Sequence, residues 1–142
     1  MSSKPFLIGF VVLVAIIAAV SLYVSRSVDR AGQTVTSVAS PDGKYKAVRV
    51  MLARGGAQPF CSDSIAIFLS VYPDSFAVSD RNYEVYAGPC AAPADRAKLP
   101  RIEWLARDAV RITVPPEAAG ANTQHKDRDA SLFVHLTFVP AQ

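Results

Sequence analysis

The sequence predicts an all-β domain, a small sandwich or curled antiparallel sheet of about six strands, preceded by one N-terminal transmembrane helix. Three observations predict it. Residues 6–24 form an unbroken apolar run with no charge, Asn, Gln or Pro. From Thr34 onward the chain turns to short apolar or alternating runs separated by Pro, Gly, Asp and Ser, the signature of strands and tight turns. The 142 residues suffice for one domain of ordinary size and an appendage.

The apolar run reads FLIGFVVLVAIIAAVSLYV, from Phe6 to Val24. As a helix it would span roughly 28 Å, close to the ~30 Å hydrocarbon core of a bilayer. A helix satisfies its own backbone, so lipid tolerates it. A cleaved signal peptide is the competing reading, with Lys4 as the basic start and a cut after Ser21. The run exceeds the ~7–15 residues of a signal core, which favours an uncleaved signal anchor. Residues 1–5 are then a tail, 6–24 the anchor in the lipid bilayer, 25–34 a linker and 35–142 the exported domain. Arg26 and Arg30 after the span outnumber Lys4 before it, which argues for a cytoplasmic domain. The very short N-terminal tail and the cysteines argue for export. Export is the reading adopted: a single-pass protein of a bacterial inner membrane, its C-terminal domain in the periplasm or outside.

TVTSVAS (34–40) is the first strand and KYKAVRVML (44–52) the second. Val48, Val50 and Leu52 share one face of the latter; Tyr45, Ala47, Arg49 and Met51 share the other. SPDG between them is a tight reversal. Pro41 presets φ, Asp42 bonds nearby backbone, and Gly43 accepts positive φ. SIAIFLSVY (64–72) is apolar on both faces, so it belongs at the sheet centre, with Ile65, Ile67, Leu69 and Val71 on one side. NYEVYAG (82–88) alternates. RIEWLARDAVRITV (101–114) is a second hairpin turning at Arg107-Asp108, and Pro115-Pro116 ends it. SLFVHLTFV (131–139) is the last strand, with Leu132, Val134, Leu136 and Phe138 on one face. Outside the anchor, only residues 91–99 suggest one turn or a short helix, with Pro93 near its start.

Cys61 would precede the third strand and Cys90 would follow the fourth. If those strands are antiparallel neighbours, the two sulfurs meet, and in an exported compartment the pair reads as a structural disulfide. Two free buried thiols are the other possibility. The spacing is not CxxC, so a thioredoxin-like centre is not indicated. His125 and His135 are the two histidines, and neither stands at finger-like spacing from a cysteine, so no metal or cofactor is predicted.

No GxSxG elbow, P-loop, HExxH or EF-hand pattern is present. Beyond the apolar run, basic and acidic residues nearly balance, which removes the clustered basic face that nucleic-acid binding needs. Two loops invite a partner. Residues 53–63 carry Arg54 and Phe60 beside Cys61; residues 115–129 carry His125 and Arg128. Each is also readable as a plain connection or a solvated tip.

SPDGKYKAV resembles the hairpin of TolB-type and WD40-like propeller blades, and WLARDAVRITV a second, degenerate copy. The chain is too short for a propeller. The fuller resemblance is to small bacterial membrane-anchored or lipoprotein-like β proteins that share an N-terminal apolar segment, an SPDGKY turn, a mid-chain Cys region and a late Trp-Leu before a strand. It implies an all-β exported domain and carries over no catalytic residue. No lipobox cysteine follows the apolar segment here.

The expected function is therefore a non-enzymatic structural or protein-interaction module of the envelope, with exposed strand edges as one route to an envelope partner. An accessory subunit held in a membrane complex by its anchor is one alternative, with Ala15 and Ala19 at small-xxx-small spacing. An envelope inhibitor or immunity-type protein is another.

Overall fold

The computed structural model describes residues 12–17, 32–120 and 122–142. It divides at Ala31 into two units. In the first, residues 12–17 are helical. Among the described residues no helix is long and apolar enough to cross a membrane. The remainder of the predicted 6–24 span, and the linker as far as residue 31, lie outside the described residues.

The second unit is built from β1 (Gly32–Ala39), β2 (Tyr45–Arg54), β3 (Phe60–Leu69), β4 (Glu84–Pro89), β5 (Arg101–Ala106), β6 (Ala109–Val114), β7 (Gln124–His125) and β8 (His135–Pro140). Five strands form one sheet in the order β1-β2-β3-β4-β7, and three form a second in the order β5-β6-β8. The chain is mostly β, as its patterning indicates. Strand β3 is central, and its two apolar faces explain why. Ile65 and Ile67 pack between the sheets with Tyr45, Ala47, Val110, Ile112 and Leu136. Ala66 and Phe68 pack on the outer face with Val48, Val50 and Ala77.

That outer face is covered at one end by a short helix, Phe76–Ser79, which the sequence reading did not place. Its Phe76 meets Phe68 edge-on, with centroids 5.5 Å apart and planes at 81°. Tyr83 approaches the same ring at 6.1 Å and 78°. Edge-to-face pairs of this kind add roughly 0.5–1.5 kcal/mol beyond burial. Here aromatic packing takes over from the ladder that the period-2 pattern had extended to Tyr72. Strand β3 stops at Leu69, and Val71 is exposed.

The first hairpin turns as expected. Gly43 has φ +69, and its N–H donates to the Ser40 carbonyl at 2.9 Å. The buried Ser40 hydroxyl donates to Asp42 at 2.7 Å and accepts from the Tyr45 N–H at 3.0 Å. That hydroxyl, with the Lys44 N–H, holds the Asp42 carboxyl below its usual range. A Cβ on Gly43 would meet nothing within 4 Å, so the requirement is one of backbone conformation rather than space. Gly43→Val is expected to cost about 1–2 kcal/mol through the left-handed conformation alone. Urea denaturation checks it; an unchanged midpoint would remove this turn from the account of stability.

Further expectations need correction. The last strand begins at His135, not Ser131, and it runs parallel to β6 rather than antiparallel, pairing Val110 with Leu136 and Ile112 with Phe138. Residues 131–134 instead form a turn organised by buried Asp129. Its carboxylate accepts from the Ser131 N–H at 3.0 Å, the Ser131 hydroxyl at 2.5 Å and the Val134 N–H at 2.8 Å. A parallel neighbour requires a long crossover, and residues 115–134 supply it. The predicted loop is thus not structureless: it holds a 3-10 turn at Pro116–Ala119 and the two residues of β7. Residues 93–98 form turns, one of the two forms expected there.

Candidate functional site

The disulfide pins the site. Strand β3 starts at Phe60, so Cys61 lies within it, and β3 pairs antiparallel with β4 through Ser62 and Pro89. The next step of that register brings Cys61 against Cys90, which are bonded with Cα atoms 5.5 Å apart. Sequence reasoning put Cys61 just outside the strand because it ended the preceding loop at Asp63. The alternation Cys61, Asp63, Ile65, Ile67 carries the strand back to Phe60.

That extension puts Asp63 on the inner face, fully buried. Arg49 on β2 is its diagonal neighbour, since Arg49 pairs with Ile65. The guanidinium grips the carboxylate twice, Nε to Oδ1 at 2.7 Å and Nη2 to Oδ2 at 3.0 Å. Nη2 also donates to the carbonyls of Arg96 and Leu99, at 2.8 and 2.6 Å. The buried ion pair therefore ties the Cys90–Pro100 connection onto the sheet. Sequence reasoning passed over this pair; the signal available was a charge at an inward position of each of two adjacent strands.

Tyr86 on β4 sits beside it. A Cβ on Gly88 would lie 2.7 Å from the Tyr86 hydroxyl oxygen and 3.3 Å from Thr123 Oγ1, so glycine is what lets the ring cross the strand. Among the described residues no group bonds either hydroxyl. Burial pushes the phenol up to about 12, the Asp63 carboxylate adding to the rise and Arg49 opposing it. A raised value means the fold holds the neutral phenol. Its contribution is therefore whole below the unfolded value near 10 and lost as pH climbs through that of the folded state, about 12. Stability is expected to fall between those limits, and to fall less steeply in Tyr86→Phe. Denaturation midpoints measured from pH 8 upward check this; parallel curves for the two proteins would contradict it.

A groove of about 640 Å³ is lined by outer-face residues of the five-stranded sheet and reaches Asp63, Gly88 and Thr123 at the sheet's end. Val50 and Leu52 give it apolar floor, Ser62 and Ser64 hydroxyls, and Arg81 with Glu84 charge. Phe60, 53 % exposed, lies on its border. The strand register sets Phe60 against Arg54, bringing together two of the predicted contact residues. The other two stand elsewhere. His125 on β7 pairs with Tyr86 and packs its ring on Phe138 at 5.1 Å. Arg128 bridges to His135 beside β8 and donates to the Leu132 carbonyl at 3.1 Å.

The groove offers hydrogen-bonding groups over an apolar floor. Among the described residues, no group of three or more His, Cys, Asp or Glu gathers as a metal site. Fold and groove together define a disulfide-pinned, two-sheet β domain with an open outer face. Comparison with known proteins returns no match to a family model, to a curated protein or to a solved structure.

Proposed function

We propose that the chain is a single-pass, membrane-anchored binding module of the bacterial envelope, non-enzymatic, whose exported β domain takes a protein partner in the outer groove. Several features support this reading. The uncharged run at 6–24 has the length of a bilayer span. The Cys61–Cys90 disulfide suits an oxidising compartment. The observation that carries it is the groove itself, with exposed Phe60 beside Arg54 at a border made rigid by the disulfide. Aromatic and Arg side chains are the anchors that protein interfaces favour.

A photo-reactive residue at Phe60 tests the site in the intact chain in its membrane. The expected result is one discrete heterologous adduct from Phe60 and none from Leu105, which is also exposed but lies on the second sheet. Adducts of equal yield from both positions would overturn the groove assignment. Alkaline phosphatase fused after Gln142 tests export separately; a well-expressed but inactive fusion would overturn it.

A further inference from the structure

We propose that two copies of this chain pair edge to edge through β1, antiparallel about a two-fold axis at Thr36, continuing the five-stranded sheet into one of twice that width. The proposal concerns a surface other than the groove and does not rest on what the groove binds.

Strand β1 is an outer strand of its sheet, and all eight residues, GQTVTSVA, are exposed. The phase of its ladder follows from two bonds. The Ser40 N–H donates to the Tyr45 carbonyl at 2.8 Å, and the Ser70 N–H to the Lys44 carbonyl at 2.9 Å. With the observed register, odd residues of β2 then bond β1 and even ones bond β3. In β1 the peptide groups of Thr34, Thr36 and Val38 face β2. Those of Gln33, Val35, Ser37 and Ala39 face outward, and none has a backbone partner among the described residues. The Trp104 indole, which donates to the Val38 carbonyl at 3.0 Å, leaves them free.

Natural sheets block such an edge with charge, proline, a bulge or a covering segment. The other edges here are blocked. Strand β7 has two residues. Strand β5 carries Arg101 and Glu103 and shifts register between Trp104 and Ala106. Strand β8 ends in Pro140 and is bridged at His135 by Arg128. Among the described residues strand β1 has none of these devices: it is uncharged, lacks proline and pairs with β2 without a register shift.

A second copy fits this edge by the strand's own composition. About an axis at Thr36, Val35 meets Ser37 of the other copy and Gln33 meets Ala39, so every outward peptide group finds an outward peptide group. Thr36 faces its own symmetry mate, a favourable cross-strand pair. No like charges are opposed. On the outer face a notch lies between β1 and the short helix, lined by Gln33, Val35 and Val78. Serine and alanine are the side chains the second copy presents there, and both are small.

Cysteine scanning in the full chain, in its membrane, tests the pairing. Thr36→Cys places two thiols at a non-hydrogen-bonded antiparallel position, where Cα separation of about 4.5 Å permits a disulfide. Under mild diamide oxidation Thr36→Cys is expected to run mainly as a dimer on non-reducing gels. Thr34→Cys and Val38→Cys, which face each other rather than themselves, should stay mainly monomeric alone and cross-link when co-expressed. Adding Val35→Lys, at a solvent-exposed position, sets two ammonium groups beside the axis and should abolish the Thr36→Cys dimer. Equal cross-linking at all three positions would mean collision and overturn the proposal. So would a monomeric Thr36→Cys chain whose β1 cross-links instead to a different protein; the Phe60 adduct would be untouched by either result.

Discussion

Asp63→Ala is expected to destabilise the β domain by about 3–5 kcal/mol, the usual consequence of removing one partner from a buried ion pair. Asp63 is fully buried and the Arg49 side chain is 11 % exposed, so water cannot replace the lost carboxylate. The guanidinium would keep its bonds to the Arg96 and Leu99 carbonyls but carry an uncompensated charge. Arg49→Met with Asp63→Leu removes both charges and fills the space with apolar atoms, so the double variant should be markedly more stable than Asp63→Ala. Urea denaturation followed by Trp104 fluorescence measures both. Hydrogen exchange at residues 96–99 should accelerate in the single variant, because the clamp on that connection loosens. An Asp63→Ala midpoint equal to that of the parent would show that the pair is not what holds β2, β3 and the connection together.

Opening the disulfide ranks next. Cys61 and Cys90 are separated by 29 residues, and in the chain-entropy account a loop of that size corresponds to roughly 3–4 kcal/mol. Cys61→Ser with Cys90→Ser should lose that amount in equilibrium denaturation. The loss should match that of the parent protein under reductant, since both open the same loop. A much smaller loss under reductant would mean that the bond stays closed, and thiol trapping with mass analysis distinguishes that outcome. The two perturbations act on one region: the disulfide starts the connection at Cys90, and Arg49 holds its far end at Leu99. Their effects should therefore couple rather than add.

Much of the fold was legible because period-2 alternation reports face directly. The assignment of Val48 and Val50 to one side of β2, and of Tyr45 and Ala47 to the other, matches the two packed clusters. The central place of β3 followed from its lack of a polar face. The Cys61–Cys90 bond followed from strand adjacency. Of the groove, only Phe60 was singled out in the sequence, with Arg54 as its cross-strand neighbour. Its lining draws on residues from five strands, and nothing local marks Leu52, Ser64 and Glu84 as neighbours. Asp63 was read as part of a loop because charge ordinarily signals solvent; a buried charge is recognisable only once its Arg49 partner is in place.

By itself, the sequence determined roughly where most strands lie, which way their side chains alternate, and that Ser40 to Gly43 reverse the chain. These properties rest on backbone sterics and on partition between water and the interior, which act over a few residues. Tertiary structure alone decided that β8 lies parallel to β6, that the short helix caps Phe68, and that β1 is the outer strand of its sheet. Each of those depends on which surface meets which across many residues of chain, and on competition among several apolar faces for one core.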